Sequence, residues 1–368
     1  MATISFKDVS GSSTDNASAL RNFTLEIEDR EFVVLTGPSG CGQSTALRVL
    51  AGLDEISNGD IFIGDRRVNG MAPKDRNVAM VFRDEALYPR MSVRENLAFG
   101  LKKRKFSETE IKKRIADAAE ILRIQELLER KPKDLSNTQR QRVAIARALA
   151  RKPKVLLFDE VLSHLEAASR AQLQTEIQKL RHRLDSTIIF TTRDPAEAMT
   201  LADRIVVMNT GAIEQEGAPL AIYNAPANLF VAEFLGAPPM NFLHGVLKQE
   251  RESLVFFESG DGTIQLHWPI SEIASGLDFV GKPAVLGVRP EDVRVVASAN
   301  ALESFPVIID TIQRTGAGAI LHVQTGSHSL LCATQGAIDG AANGRRLRIA
   351  LDSKKAHLFD PISSRRIV

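Results

Sequence analysis

Cysteine, tryptophan and tyrosine are scarce in this chain, at two, one and two of 368 residues. Cys41 and Cys332 are far apart in sequence, a usage that speaks for a reducing compartment and against a disulfide framework. Excess charge of one sign is missing too. Lysine plus arginine number 47 against 45 acidic residues, so the balance of +2 points to neither nucleic acid nor an anionic membrane as a partner. No stretch of eighteen apolar residues occurs, and Met1 to Asp8 has no apolar signal core. A cytosolic chain is expected, meeting any membrane through a partner. The length suits two domains, and 44% hydrophobic residues suffice to bury a core in each.

What is present begins with Gly37, Pro38, Ser39, Gly40, Cys41, Gly42, Gln43 and Ser44, followed by Thr45. This fits the phosphate-loop frame G-x-x-x-x-G-K-[ST] at every position except Gln43, which stands where the motif has lysine. In that frame glycines let backbone N–H groups converge on phosphate, the lysine spans the β- and γ-phosphates, and the hydroxyl binds magnesium. Glu31 to Thr36 reads as a short buried strand before the loop, and Ala46 to Gly52 as a helix after it. A glycine-rich turn without nucleotide is the bland alternative, and the strand–loop–helix context argues against it. Downstream, Lys154 to Glu160 is an apolar strand ending in Asp159 and Glu160. An aspartate there can hold magnesium beside Ser44, and the adjacent glutamate can polarise a water, so the pair forms the candidate catalytic set. The alternative is an ordinary strand end with acidic turn residues.

Before residue 236, strands alternate with helical segments, the pattern of an α/β domain with a largely parallel sheet. Residues 107–151 are expected to be almost wholly helical, and a helical subdomain is placed at about 88–150. A Pro/Gly-rich hinge at Gly236 to Met240 sets the boundary between residues 1–236 and 237–368. Beyond it come short strand-like runs separated by turn signals, such as Leu254–Phe257, Ala284–Arg289 and Ala319–Gln324. They read as a small all-β barrel or sandwich. Trp268 with a few phenylalanines is a thin supply for base stacking, so regulation or dimerisation is its expected use rather than nucleic-acid binding.

Asp134 to Ala150, with Leu135, Ser136, Asn137, Thr138 and Gln139 at its start, resembles the signature segment of ABC transporter ATP-binding subunits. The resemblance is to the branch serving maltose, trehalose, glycerol-phosphate and related importers. It extends through Val78–Phe82, Ala86–Gly100, Glu197–Met208 and Gly287–Asp292. It implies a P-loop ABC ATPase domain with a helical subdomain and a C-terminal OB/TOBE-like regulatory barrel. ATP and Mg2+ would be cofactors, with Ser44 and Asp159 at the metal and Ser136 and Gln139 completing a facing subunit's nucleotide site. It further implies a second ATP-binding subunit, transmembrane permease subunits, and a peripheral position on the cytoplasmic face of the membrane. The segment from Leu87 to Leu101 resembles the surface that receives a permease helix; alternatively, Tyr88 and Phe99 are ordinary core residues.

Against the family pattern, Val9 to Asn16 lacks the aromatic that stacks on adenine, a loss worth about 1–3 kcal/mol. The glutamine linking phosphate and magnesium to the permease is replaced by Arg83, the signature glycines by Asn137 and Thr138, the interface aspartate by Glu166, and the switch histidine by Arg193. Arginine does not exchange a proton near neutral pH. Two readings from different classes follow. One is a transport ATPase for a sugar or glycerol-phosphate-like solute with impaired hydrolysis. The other is a catalytically inactive structural or regulatory relative that binds nucleotide weakly or not at all.

Overall fold

The computed structural model describes residues 2–12, 19–181, 183–271, 273–296, 304–316, 318–336 and 342–368. Of the stretch compared with an adenine platform, residues 13–16 lie outside this set. The chain divides into two compact units, 1–220 and 221–368.

The first unit opens with Ile4–Ser12 (β1), Ala19–Ile27 (β2), Phe32–Thr36 (β3), Gln43–Ala51 (α1), Asn58–Ile63 (β4), Arg66–Arg67 (β5) and Val78–Val81 (β6). Three helices follow, Val93–Lys103 (α2), Glu108–Ile121 (α3) and Asn137–Ala150 (α4). It closes with Val155–Asp159 (β7), Ala167–Arg181 (α5), Thr187–Thr192 (β8), Pro195–Leu201 (α6), Arg204–Asn209 (β9) and Ala212–Gly217 (β10). The central sheet runs β10-β9-β3-β8-β7-β6, parallel except for the β10 edge. All five residues of β3 and all six of β8 are buried, as continuous apolar runs between two covered faces require. A four-stranded antiparallel sheet, β2-β1-β4-β5, accompanies it.

The almost wholly helical stretch expected over 107–151 consists of α3 and α4 with a break between them. Arg123 takes a left-handed φ of 52° just after α3, and the chain then makes two short 3-10 turns, Gln125–Leu127 and Pro132–Asp134, before α4. Pro132 cannot donate an N–H to a continuing helix. Within α3 the apolar stripe behaves as its spacing suggests, burying Ile111, Ile115 and Ala119.

Pro219–Asn224 (α7) spans the division, and Leu229–Phe234 (α8) belongs to the second unit. Its strands are Asn241–Glu250 (β11), Ser253–Glu258 (β12), Gln265–Pro269 (β13), Pro283–Val288 (β14) and Arg294–Val296 (β15). Ser304–Thr315 (β16), Gly318–Gln324 (β17), Ser329–Gln335 (β18), Arg346–Ala350 (β19) and His357–Phe359 (β20) complete it. They form two antiparallel sheets, β13-β12-β11-β14-β20 and β15-β19-β16-β17-β18. Both feed one apolar core, with Leu243 and Phe256 from the first sheet and Leu321 and Ile349 from the second. Burial alternates along β13, as expected of strands with one dry face.

Candidate functional site

The phosphate loop joins β3 to α1. Gly42 sits at φ 104°, a conformation that side chains with a Cβ rarely adopt, and a Cβ on Gly37 would come within 2.2 Å of the Met208 carbonyl oxygen. These glycines let the backbone turn sharply into α1. The helix starts without a side-chain cap and without an acidic residue in its first turn. Its leading N–H groups and the positive end of its dipole therefore suit an anion. Cys41 is buried in the loop, and burial pushes its thiol up to about 11, which makes it an inert packing residue.

Gln43 is only 5% exposed. Its amide Nε2 donates to the Leu35 carbonyl at 3.3 Å and to the Thr192 carbonyl at 3.0 Å, so the side chain is held against the ends of β3 and β8. A neutral donor fixed between two strand carbonyls supplies no positive charge to the loop.

Beside it, the Ser44 hydroxyl donates to Asp159 Oδ1 at 2.7 Å, and the Thr191 hydroxyl reaches the same oxygen at 3.0 Å. Thr191 Oγ1 also accepts the Glu160 backbone N–H at 3.0 Å, linking the ends of β7 and β8. A hydroxyl and a carboxylate oxygen in contact suit a magnesium ion, which usually takes one or two carboxylates from a protein and completes its shell with phosphate and water. Among the described residues no three His, Cys, Asp or Glu side chains gather as a metal cluster.

Glu160 is buried and has φ 45°, a left-handed conformation for a non-glycine residue. Arg193 donates to its Oε1 from both Nε and Nη2 at 2.7 Å, while Arg83 Nη1 lies 3.7 Å from Oε2. The two arginine side chains are half-exposed, at 49% for Arg193 and 55% for Arg83. They open on a cavity of about 370 Å³ lined also by Ser163, Arg170, Asp194 and Glu197. In that wall, burial raises the Glu197 carboxyl above its usual range, and the Thr192 hydroxyl donates to it at 2.6 Å. Arg170 lies 3.7 Å from Glu197.

The signature residues gather elsewhere in the unit. Ser136 caps α4: its hydroxyl accepts the Gln139 N–H at 3.3 Å, and the Gln139 side chain accepts the Ser136 N–H at 3.0 Å. Arg140 donates to the Asn137 side-chain oxygen. Ser136, Asn137, Thr138 and Glu166 line a separate cavity of about 430 Å³ together with His164, Leu165 and Ser169. Gln43, Ser44, Asp159, Glu160, Arg83 and Arg193 thus meet in one region, and the signature set meets in another. Sequence reasoning missed Thr191 and Thr192, whose roles come only from the pairing of β8 with its neighbours.

A third cavity, about 900 Å³, is lined by Tyr88, Phe99, Lys103, Arg147 and Arg151, among others. Tyr88 is 40% exposed. Its ring packs against Phe99 at 4.6 Å and lies beneath the Arg147 guanidinium.

A parallel sheet with a glycine loop opening a helix, and a serine–aspartate pair beside that loop, defines a P-loop nucleotide-binding protein. Comparison narrows the class. Residues 20–163 match the ABC transporter family, 236–293 the MalK OB fold domain, and 286–359 the TOBE domain. The chain is 45% identical to the sn-glycerol-3-phosphate import ATP-binding protein UgpC of Burkholderia cenocepacia, over 100% of this chain and 99% of that one. It is 43% identical to the oligosaccharides import ATP-binding protein MsmX of Bacillus subtilis, over 95% of each. Among solved structures, it resembles an ATP-binding cassette dimer in a post-hydrolysis state with ADP and phosphate, at a TM-score of 0.53 and 28% identity. That match covers 59% of this chain and 98% of the other. The chain belongs to the ABC transporter ATP-binding proteins of the sugar and glycerol-phosphate importer type.

Proposed function

We propose that this chain is the ATP-binding subunit of an importer for a sugar or glycerol-phosphate-like solute, and that it binds Mg-nucleotide but hydrolyses it at a strongly reduced rate. Residues 37–45 cradle the phosphates through backbone N–H groups. Ser44 and Asp159 would hold magnesium, which would supply positive charge to neutralise the phosphates. The subunit sits on the cytoplasmic face of the membrane. There it pairs with a second ATP-binding subunit, and the Tyr88 cavity receives a permease segment.

One observation carries the reduced rate: Glu160, the candidate base, is held by Arg193 and Arg83 while Gln43 is anchored to strand carbonyls. A carboxylate whose lone pairs accept guanidinium N–H groups is poorly placed to take a proton from water. Loss of one transition-state donor costs on the order of a hundred- to a thousandfold in rate. The losses act together and do not simply add. The same clamp supports a second reading, a structural or regulatory subunit that binds nucleotide weakly or not at all and does not turn it over. Phosphate release and nucleotide binding, measured on the purified chain with and without its permease, separate the two. Slow release that depends on Glu160 supports the first; no release, with weak or no nucleotide binding, supports the second; turnover at an ordinary enzyme rate overturns both.

A further inference from the structure

We infer, given the membrane placement proposed above, that the basic end of α2 binds the anionic phospholipid surface directly, through Lys102, Lys103, Arg104 and Lys105. The near-neutral balance of the whole chain conceals an uneven distribution. Residues 88–150 hold sixteen lysines and arginines against eight acidic residues, so this stretch carries +8 and the remainder of the chain −6. Four of the sixteen are consecutive. Lys102 to Lys105 close α2 and continue past it, and all four are exposed. The negative end of a helix dipole accounts for one or two cations there, not for a run of four. Among the described residues none of the four has a carboxylate partner, whereas Arg94 and Arg114 pair with Glu129 and Glu110.

The charge continues into the cavity at Tyr88. Lys74, Lys103, Arg104, Arg147 and Arg151 line it, with Asp75 as the single carboxylate among the described residues of that wall. Arg147 donates to the carbonyls of Ala86 and Glu85, and Arg151 to that of Val78, all neutral acceptors. Burial, and then the facing charges of Arg104 and Arg147, pull the Arg151 guanidinium below its ordinary range, as expected of crowded cations. An anionic surface compensates such a cluster, and each lysine or arginine near an anionic leaflet strengthens binding roughly fivefold. The contact is electrostatic, because α2 commits Val93, Leu97 and Leu101 to the interior and keeps no apolar face for insertion. Nucleic acid fits less well. Bases need aromatic faces to stack on, and Phe99 is engaged by Tyr88 and the Lys103 ammonium, Phe106 by Arg114. The cavity is the one proposed to receive the permease, which would put the adjoining cations on the side nearest the leaflet.

The test is flotation of the full-length protein, without permease, on vesicles of phosphatidylcholine alone or with about 30% phosphatidylglycerol, at about 0.05 and 0.5 M salt. Capture by the anionic vesicles at low salt is expected to exceed that by neutral ones at least about a hundredfold, and to vanish at high salt. Lys102→Gln, Lys103→Gln, Arg104→Gln and Lys105→Gln together should erase most of that difference. The same charge removed from exposed sites elsewhere, as Lys7→Gln, Arg66→Gln, Lys248→Gln and Lys354→Gln, should leave it within about threefold. Arg104→Lys should bind like the wild type, since a diffuse surface reads charge rather than fork geometry. Thermal melts confirm that each variant is folded. Equal capture by both kinds of vesicle, equal losses in the two quadruple variants, or tighter binding to single-stranded RNA than to anionic vesicles at the same salt would overturn the inference. Membrane recovery only when permease is present would overturn it too, while leaving the importer reading intact.

Discussion

The ends of β7 and β8 carry two corners that differ sharply. At one, Ser44, Asp159 and Thr191 form a short hydroxyl–carboxylate network that presents oxygen ligands. At the other, a few atoms away along the chain, Glu160 is gripped by two arginines and Gln43 is held against the sheet. On the proposed function, the difference is one between keeping a motif's residues and keeping its chemistry. Asp159 and Glu160 are neighbours in sequence, yet only the first faces partners compatible with its ordinary task. In the proposed function, the metal corner needs only local donors, whereas the charge corner would need a cation at position 43 and freedom for the glutamate.

Breaking the metal corner should have the largest effect. Asp159→Ala is expected to abolish the gain in nucleotide affinity on adding magnesium, a loss of about a hundredfold by the scale of a charged contact. A magnesium titration with a fluorescent nucleotide reads it. A magnesium response surviving in that variant would separate Asp159 from the metal. Restoring the charge corner piecemeal should do less. Gln43→Lys alone should leave phosphate release well below an ordinary importer ATPase, because Arg193 still holds Glu160 and the signature remains altered. Combining it with Arg193→His should raise release by more than the product of the single changes, since the two positions meet at Thr192. Full recovery in Gln43→Lys would show that the clamp is unimportant.

Two smaller tests lie outside the contrast and calibrate it. Ser136→Ala removes the cap of α4 and should lower stability by about 1 kcal/mol in a denaturant melt, with nucleotide affinity for the isolated chain unchanged. Cys41, its thiol pushed up to about 11, stays protonated at neutral pH. Alkylation of the folded chain by iodoacetamide at pH 8 should therefore be slow and should accelerate on unfolding. Rapid modification of Cys41 in the native protein would mean that the loop opens.

Much of the fold was legible because its signals are local. Continuous apolar runs announced β3 and β7, glycines marked the loop, and alternating short runs indicated the β-rich second unit. The break between α3 and α4 was not read, although Pro132 was there to suggest it. Gln43, Arg83 and Arg193 stood out in sequence as part of one correlated set of departures from the family pattern. Their contacts were hidden, because the bond from Gln43 to Thr192 spans 149 residues and that from Arg193 to Glu160 spans 33. Nothing in a local pattern says that two substituted positions grip a retained one. That knowledge comes from the order β3-β8-β7, which brings the strand ends side by side.

The most direct test of the central claim is phosphate release from the subunit assembled with its permease, measured together with nucleotide occupancy. Bound Mg-nucleotide with release at least about a hundredfold below the ordinary enzyme range of 1–10³ per second is the expected result. Turnover inside that range, with the wild-type Gln43, Arg83 and Arg193 in place, would contradict it.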